Sequence, residues 1–143
     1  MSRTMKIVTF GALVLFAAIQ FVPYGKNHTN PPILNEVQWD VPRTQELFNR
    51  ACADCHSHQT VYPWYAHVAP LSWLVMHDIE EGREKLNVSM MGVQTKNKVK
   101  DAADEVKERE MPILPYLLAH PAARLSDREK TELIHGLEET FGK

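Results

Sequence analysis

The chain has 143 residues, a formal net charge of −2, 24% charged residues and 44% hydrophobic ones. That length supports one small domain with a limited core. The mixed charge excludes the basic footprint of a nucleic-acid-binding protein, and two cysteines, Cys52 and Cys55, exclude a disulfide-rich scaffold.

The first residues are short and basic, with Arg3 and Lys6, and an apolar run follows from Ile7 to Val22. As a helix that run spans about 24 Å, between the core of a secretory signal and the ~20 residues of a spanning helix. No Ala-x-Ala site closes it, since Ala17 and Ala18 lead into Ile19-Gln20-Phe21. Residues 1–22 are therefore expected to be an uncleaved membrane anchor with its cationic end cytoplasmic, a cleaved signal being the alternative. Either way the remainder is exported.

Residues 23–42 are rich in Pro, Asn and Gly. Proline fixes φ and donates no amide hydrogen, so an extended linker is expected, with Ile33, Val37 and Trp39 resting on the globular part. Residues 43–143 are expected to form one domain. Thr44 is its first candidate N-cap, and Leu47, Ala51 and Cys55 recur every four residues, carrying both cysteines inward on a helix that runs to about 56–59. The loop Tyr62-Pro63-Trp64-Tyr65 offers aromatics for core packing or for walling a cofactor. A helix is expected from Ser72 to Leu86, with a stripe of Val75, Ile79, Gly82 and Leu86, and another over 94–109. Ser126-Asp127-Arg128-Glu129 is a capping box, and Leu133, Leu137 and Phe141 repeat behind it. Gly136 costs roughly 1 kcal/mol inside that helix relative to Ala, which predicts close approach of the cysteine-bearing helix. Strand patterning is scarce, so the fold class is all-α.

Residues 52–56 read Cys-Ala-Asp-Cys-His. Cys-x-x-Cys-His is the attachment signature of c-type haem: both thiols add to porphyrin vinyl groups, and the histidine becomes the proximal iron ligand. A structural zinc site needs a second ligand pair that the chain lacks, and a thioredoxin-like dithiol needs a βαβ context. One covalent haem c, held by Cys52, Cys55 and His56, is the expectation; a disulfide between the cysteines is the reading it displaces. Attachment of this kind agrees with export to the periplasm.

A second axial ligand has to reach the iron from the face opposite His56. Met111, in Glu110-Met111-Pro112, is the first candidate. Pro112 and Pro115 hold it in a stiff loop, and a thioether favours ferrous iron. His120, before Pro121, is the main competitor. His58 lies too near His56 in sequence to cross to the other face, and His135 is expected at a helix surface.

Together these residues resemble the small bacterial haem-binding domain family with a single Cys-x-x-Cys-His. The resemblance rests on Asn30-Pro31-Pro32, the stretch from Glu36 to Asp40, Arg50 to Ser57, Trp64-Tyr65, Glu81 to Asn87, Glu110-Met111-Pro112, His120-Pro121 and Leu125-Ser126. It implies an exported haem protein and assigns no reaction. The order of helix, haem motif, methionine loop and closing helix is also loosely similar to class I cytochrome c, which implies the axial role for Met111. The expected function is a membrane-tethered mono-haem cytochrome that passes single electrons to periplasmic redox partners and is not an enzyme. The alternative is a haem sensor or small peroxidase with an open distal site near His67, His77 or Arg83.

Overall fold

Pro42 opens the first helix of the globular part because its fixed φ suits the first helical position and its missing N–H is not needed there. In a computed structural model, which describes residues 2–95 and 97–142, this helix begins with Val41 as cap and not with Thr44. Thr44 instead lies inside the helix, buried. The elements in chain order are α1 (Arg3–Ile19), α2 (Pro42–Ala51), α3 (Ala53–His56), α4 (Leu71–Lys85), α5 (Ala102–Lys107), α6 (Leu114–Ala119) and α7 (Asp127–Phe141), with short 3-10 turns at Trp64–His67, Val99–Asp101 and Pro121–Ala123. The fold is all-α; among the described residues the one bridge pairs Asn35 with Met90.

Two compact units share the chain: residues 1–29 with 62–78, and residues 30–61 with 79–143. In the second, α7 packs on both α2 and α5. Leu47, Phe48 and Ala51 from α2 meet Ala103 and Val106 from α5 and Leu133 and Leu137 from α7. Val37 is buried here and Trp39 stacks on Phe48 at 4.8 Å, whereas Ile33 is exposed. Gly136 marks the α2–α7 crossing as expected. A Cβ at that position would overlap the Thr44 hydroxyl and lie 2.6 Å from its Cγ2.

Two helices differ from their sequence expectations. The 94–109 stretch, whose residue 96 lies outside the described residues, is helical only from Val99 to Lys107. Before it, the Gln94 side chain donates to the Arg83 carbonyl at 2.9 Å and the Lys98 N–H to the Lys85 carbonyl at 2.7 Å. The segment is spent on capping the free carbonyls at the end of α4. Conversely, the expected stiff loop after Met111 contains α6, because Pro115 falls in its first turn, where proline is tolerated.

In the first unit no residue of α1 is buried, and among the described residues no helix is long and apolar enough to cross a membrane. The Gln20 side chain, at the end of α1, donates to the Ala69 carbonyl and accepts from the Ala69 N–H, both at 3.0 Å. His28 donates to the Ala66 carbonyl at 3.0 Å and lies against the rings of Tyr62 and His67. Gly25 has φ +77°, and a Cβ there would sit 2.6 Å from the Ser72 carbonyl oxygen.

The capping box at α7 forms as the sequence predicts: Ser126 Oγ accepts from the Glu129 N–H at 3.3 Å, and Glu129 accepts from the Ser126 N–H at 2.8 Å. Arg50 on α2 adds a 2.6 Å bond to the same carboxylate. These donors, the Ser126 N–H first, bring Glu129 down from 4.5 to about 2. A depressed carboxylate stabilises the fold fully above its unfolded value, and that stabilisation is lost as pH falls from 4.5 through about 2. Glu129→Gln should therefore give a shallower fall in Tm across that window than the parent, measured by circular dichroism. Gly136→Ala sets a propensity gain of about 1 kcal/mol against an overpacking cost of about 1–3 kcal/mol. With a rigid Thr44 as the obstacle the cost wins, so urea unfolding should show lower stability.

Candidate cofactor site

Cys52 breaks the helix that the sequence carried on to about residue 56: it leaves helical geometry at φ −129° between α2 and α3. Its N–H still donates to the Phe48 carbonyl at 2.8 Å, and its own carbonyl accepts from the N–H groups of Cys55 and His56 at 3.2 and 3.0 Å. The two cysteines and the histidine thus share one short turn. Arg83 fastens the chain just beyond it. Its Nε donates to the Ser57 carbonyl at 2.8 Å, and its Nη2 to Thr60 Oγ1 and Asn30 Oδ1 at 3.0 Å each. The Val88 N–H donates to the His56 carbonyl at 2.9 Å.

α4 presses on this turn through Gly82. A Cβ there would lie 2.7 Å from the Cys55 carbonyl oxygen and 3.0 Å from the Cys55 Cβ. A few residues on, the Leu86 carbonyl accepts from His56 Nδ1 at 3.0 Å. A carbonyl only accepts, so Nδ1 carries the proton and Nε2 keeps its lone pair. Burial, opposed by the backbone hydrogen bonds, holds His56 below the ordinary histidine range, so it is neutral at pH 7 and available as a ligand.

Cys52, His56 and Met111 line one cavity of about 100 Å³, part of a cleft of about 630 Å³ out to its mouth. Its walls are Phe48, Leu86, Val106 and Leu137, and its rim is charged, with Lys85, Lys98, Asp101 and Glu105. A smaller cavity of about 40 Å³ touches the same three residues and adds Cys55, Pro112, Ile113 and Tyr116. Both cysteines are free thiols and half-buried. The enclosing protein, with Cys55 beside it, pushes the Cys52 thiol up to about 12.

Four expected residues therefore converge: Cys52, Cys55, His56 and Met111. His120 does not line either cavity; its ring meets Tyr116 edge-on, 4.2 Å between centroids. His58 is committed elsewhere, donating from Nδ1 to the Pro32 carbonyl and accepting at Nε2 from Asn87, both at 2.8 Å. His67 and His77 are exposed, as is His135. Arg83 is bonded to the Ser57 carbonyl and to the Thr60 and Asn30 side chains and lines neither cavity. The Tyr62–Tyr65 aromatics line neither cavity, and Trp64 is largely exposed.

Several contributors were not anticipated. Tyr116 Oη donates to Asp54 Oδ2 at 2.8 Å, and the Val61 N–H to Asp54 Oδ1 at 2.9 Å, so the residue between the cysteines pins the α6 side of the cleft. Burial, with the Asp54 carboxylate beside it, holds the Tyr116 phenol above its usual range. Gly82 stood in an apolar stripe, where a residue without a side chain was the available signal. No residue type announces the Leu86 carbonyl.

A neutral histidine with one nitrogen free, two thiols on the same turn and apolar walls define a small helical domain built to hold a metalloporphyrin. The donor set fits: iron in a porphyrin needs axial ligands alone from the protein, and the apolar walls suit the macrocycle. The family model of the haem-binding domain matches residues 14–139, and the chain belongs to that family. No curated protein and no solved structure matches the chain.

Gly82→Ala tests the close approach at the motif. Propensity alone predicts about 1 kcal/mol of gain. The Cys55 backbone cannot move aside without dragging the motif, so the expected result is a lower ratio of haem to protein in purified material, read by pyridine haemochrome. An unchanged ratio would reject Gly82 as a spacer for the motif.

Proposed function

We propose that this haem-binding domain is a mono-haem c-type cytochrome, tethered by α1 to the inner membrane and carrying single electrons on its periplasmic side. The observation that carries the reading is the meeting of Cys52, His56 and Met111 around one cavity while the Leu86 carbonyl occupies His56 Nδ1. Cys52 and Cys55 would make the thioethers. Each S–H adds across a vinyl C=C, sulfur to one carbon and hydrogen to the other, with no net oxidation. His56 Nε2 would be the proximal ligand and Met111 Sδ the distal one. When bound, haem supplies a one-electron ferric–ferrous couple.

The chain's own residues do the remaining work. Phe48, Leu86, Val106 and Leu137 exclude water, which lowers the local dielectric and disfavours the more highly charged oxidation state. The Leu86 carbonyl fixes the His56 ring orientation and raises its basicity as a ligand. Arg83 holds the motif's exit. No acid, base or nucleophile is required, so the protein carries electrons and catalyses no group transfer.

The test is an absorption spectrum of protein made in a haem-attaching host, with a mass measurement alongside. The expected product weighs one haem more than the polypeptide and survives acid–acetone extraction. Its reduced form should be low-spin and refuse carbon monoxide at neutral pH. Met111→Ala should abolish the methionine-to-iron charge-transfer band of the oxidised form and lower the potential, whereas His120→Ala should leave both in place. Rapid carbon monoxide binding by the parent would favour an open-site sensor or peroxidase.

A further inference from the structure

α1 has 17 residues, about 26 Å of helix, and falls roughly 4 Å short of a ~30 Å hydrocarbon core. Within the same compact unit the chain supplies apolar surface at the end of that helix. Phe21 is 84% exposed and Trp64 77%. Leu71 and Leu74, three residues apart on one face of α4, are 47% and 50% exposed, while Ser72 and Met76 are buried on the other face. Tyr24 and Val22 are exposed as well.

Charge is nearly absent from this surface. Across residues 20–29 and 62–78 the only Lys, Arg, Asp or Glu are Lys26 and Asp78, in a chain that is 24% charged. The surface is also fixed to the helix end. Gln20, the C-cap of α1, holds the Ala69 peptide by both its N–H and its carbonyl, and Gly25 allows the following turn to lie against the Ser72 backbone. A partner protein would be expected to leave some charged rim for register. An uncharged band with Trp, Tyr and Phe beside the end of an apolar helix matches the belt where amphipathic rings meet headgroups.

We infer that Phe21, Tyr24, Trp64, Leu71 and Leu74 form a lipid-facing collar that seats in the interfacial zone of the bilayer and completes the span α1 leaves short. The inference rests on the tethered reading of α1. It adds that residues 62–74, distant in sequence, are part of the membrane contact, and that the Gln20–Ala69 clamp holds them at the lipid surface.

The test is photocrosslinking of the full haem-loaded chain in phosphatidylcholine–phosphatidylglycerol vesicles. The probe is a phosphatidylcholine carrying a diazirine near the glycerol end of one acyl chain. Peptide mass mapping should place lipid adducts on α1 and on Phe21, Trp64, Leu71 and Leu74. Vesicles that lack the diazirine lipid set the background. In Leu71→Glu/Leu74→Glu, two exposed changes that leave helical content unaltered, adducts at Trp64 should fall to that background while those on α1 persist. Adducts on α1 alone would overturn the collar and leave the tether standing. Absence of adducts from both would overturn both, and chain-to-chain adducts at the collar in place of lipid would overturn it in favour of a second copy.

Discussion

The hydrogen bond from His56 Nδ1 to the Leu86 carbonyl joins the problem of ending a helix to the problem of aiming a ligand. The last carbonyls of an α-helix have no partner within the helix and need one from elsewhere. At the end of α4 three of them are met by distant groups. Gln94 serves Arg83, the Lys98 N–H serves Lys85, and His56 serves Leu86. A bond that satisfies a helix end also fixes the imidazole tautomer and turns Nε2 away from its backbone partner. The ring is therefore oriented by an element whose position is set by its own packing, which is how a rigid support keeps a ligand in place.

That support requires α4 to lie very close to the motif, and the glycine at position 82 allows it. Any side chain there would displace Cys55. The same device recurs where α2 meets α7, at Gly136 against Thr44. One glycine sets the distance between the motif turn and α4, the other the distance between the preceding helix and the closing helix. Both accept a loss of helix propensity of about 1 kcal/mol in return for backbone contact. The segment from α2 through the motif turn is thus positioned at both ends by contacts that leave no room for a Cβ.

Much of this was legible because it follows from local chemistry. The capping box at Ser126, the α4 stripe, the close approach at Gly136 and the all-α class are properties of short windows. The convergence of Cys52, Cys55, His56 and Met111 followed from the haem motif and a constrained methionine. What escaped depended on distant partners. Gln94 and Lys98 sit in a helical pattern, yet their groups are taken by the end of α4. Pro115 has the chemistry of a helix breaker, but its place in a first turn makes it a helix starter. Thr44 had a cap's chemistry, but Pro42 began the helix earlier. The Tyr116–Asp54 bond spans 62 positions, and no periodicity carries such a pairing. Trp64 is 77% exposed, because aromatic character alone does not say whether a ring will be buried.

The cavity and the hydrophobic core are not separate regions. Phe48, Leu86, Val106 and Leu137 belong to the cluster that holds α2, α5 and α7 together, and the same four side chains form the cavity wall. A domain of this size buries a modest share of its apolar surface on folding. A macrocycle seated on those residues therefore adds to the core itself and stabilises the folded state over the unfolded one. The covalent attachment proposed above would change the form of that contribution. A group bonded to Cys52 and Cys55 would stay with the unfolded chain and act as a permanent apolar residue, its benefit independent of free haem concentration. Attachment there would fix the added apolar mass on the first turn after α2, the helix against which α7 packs.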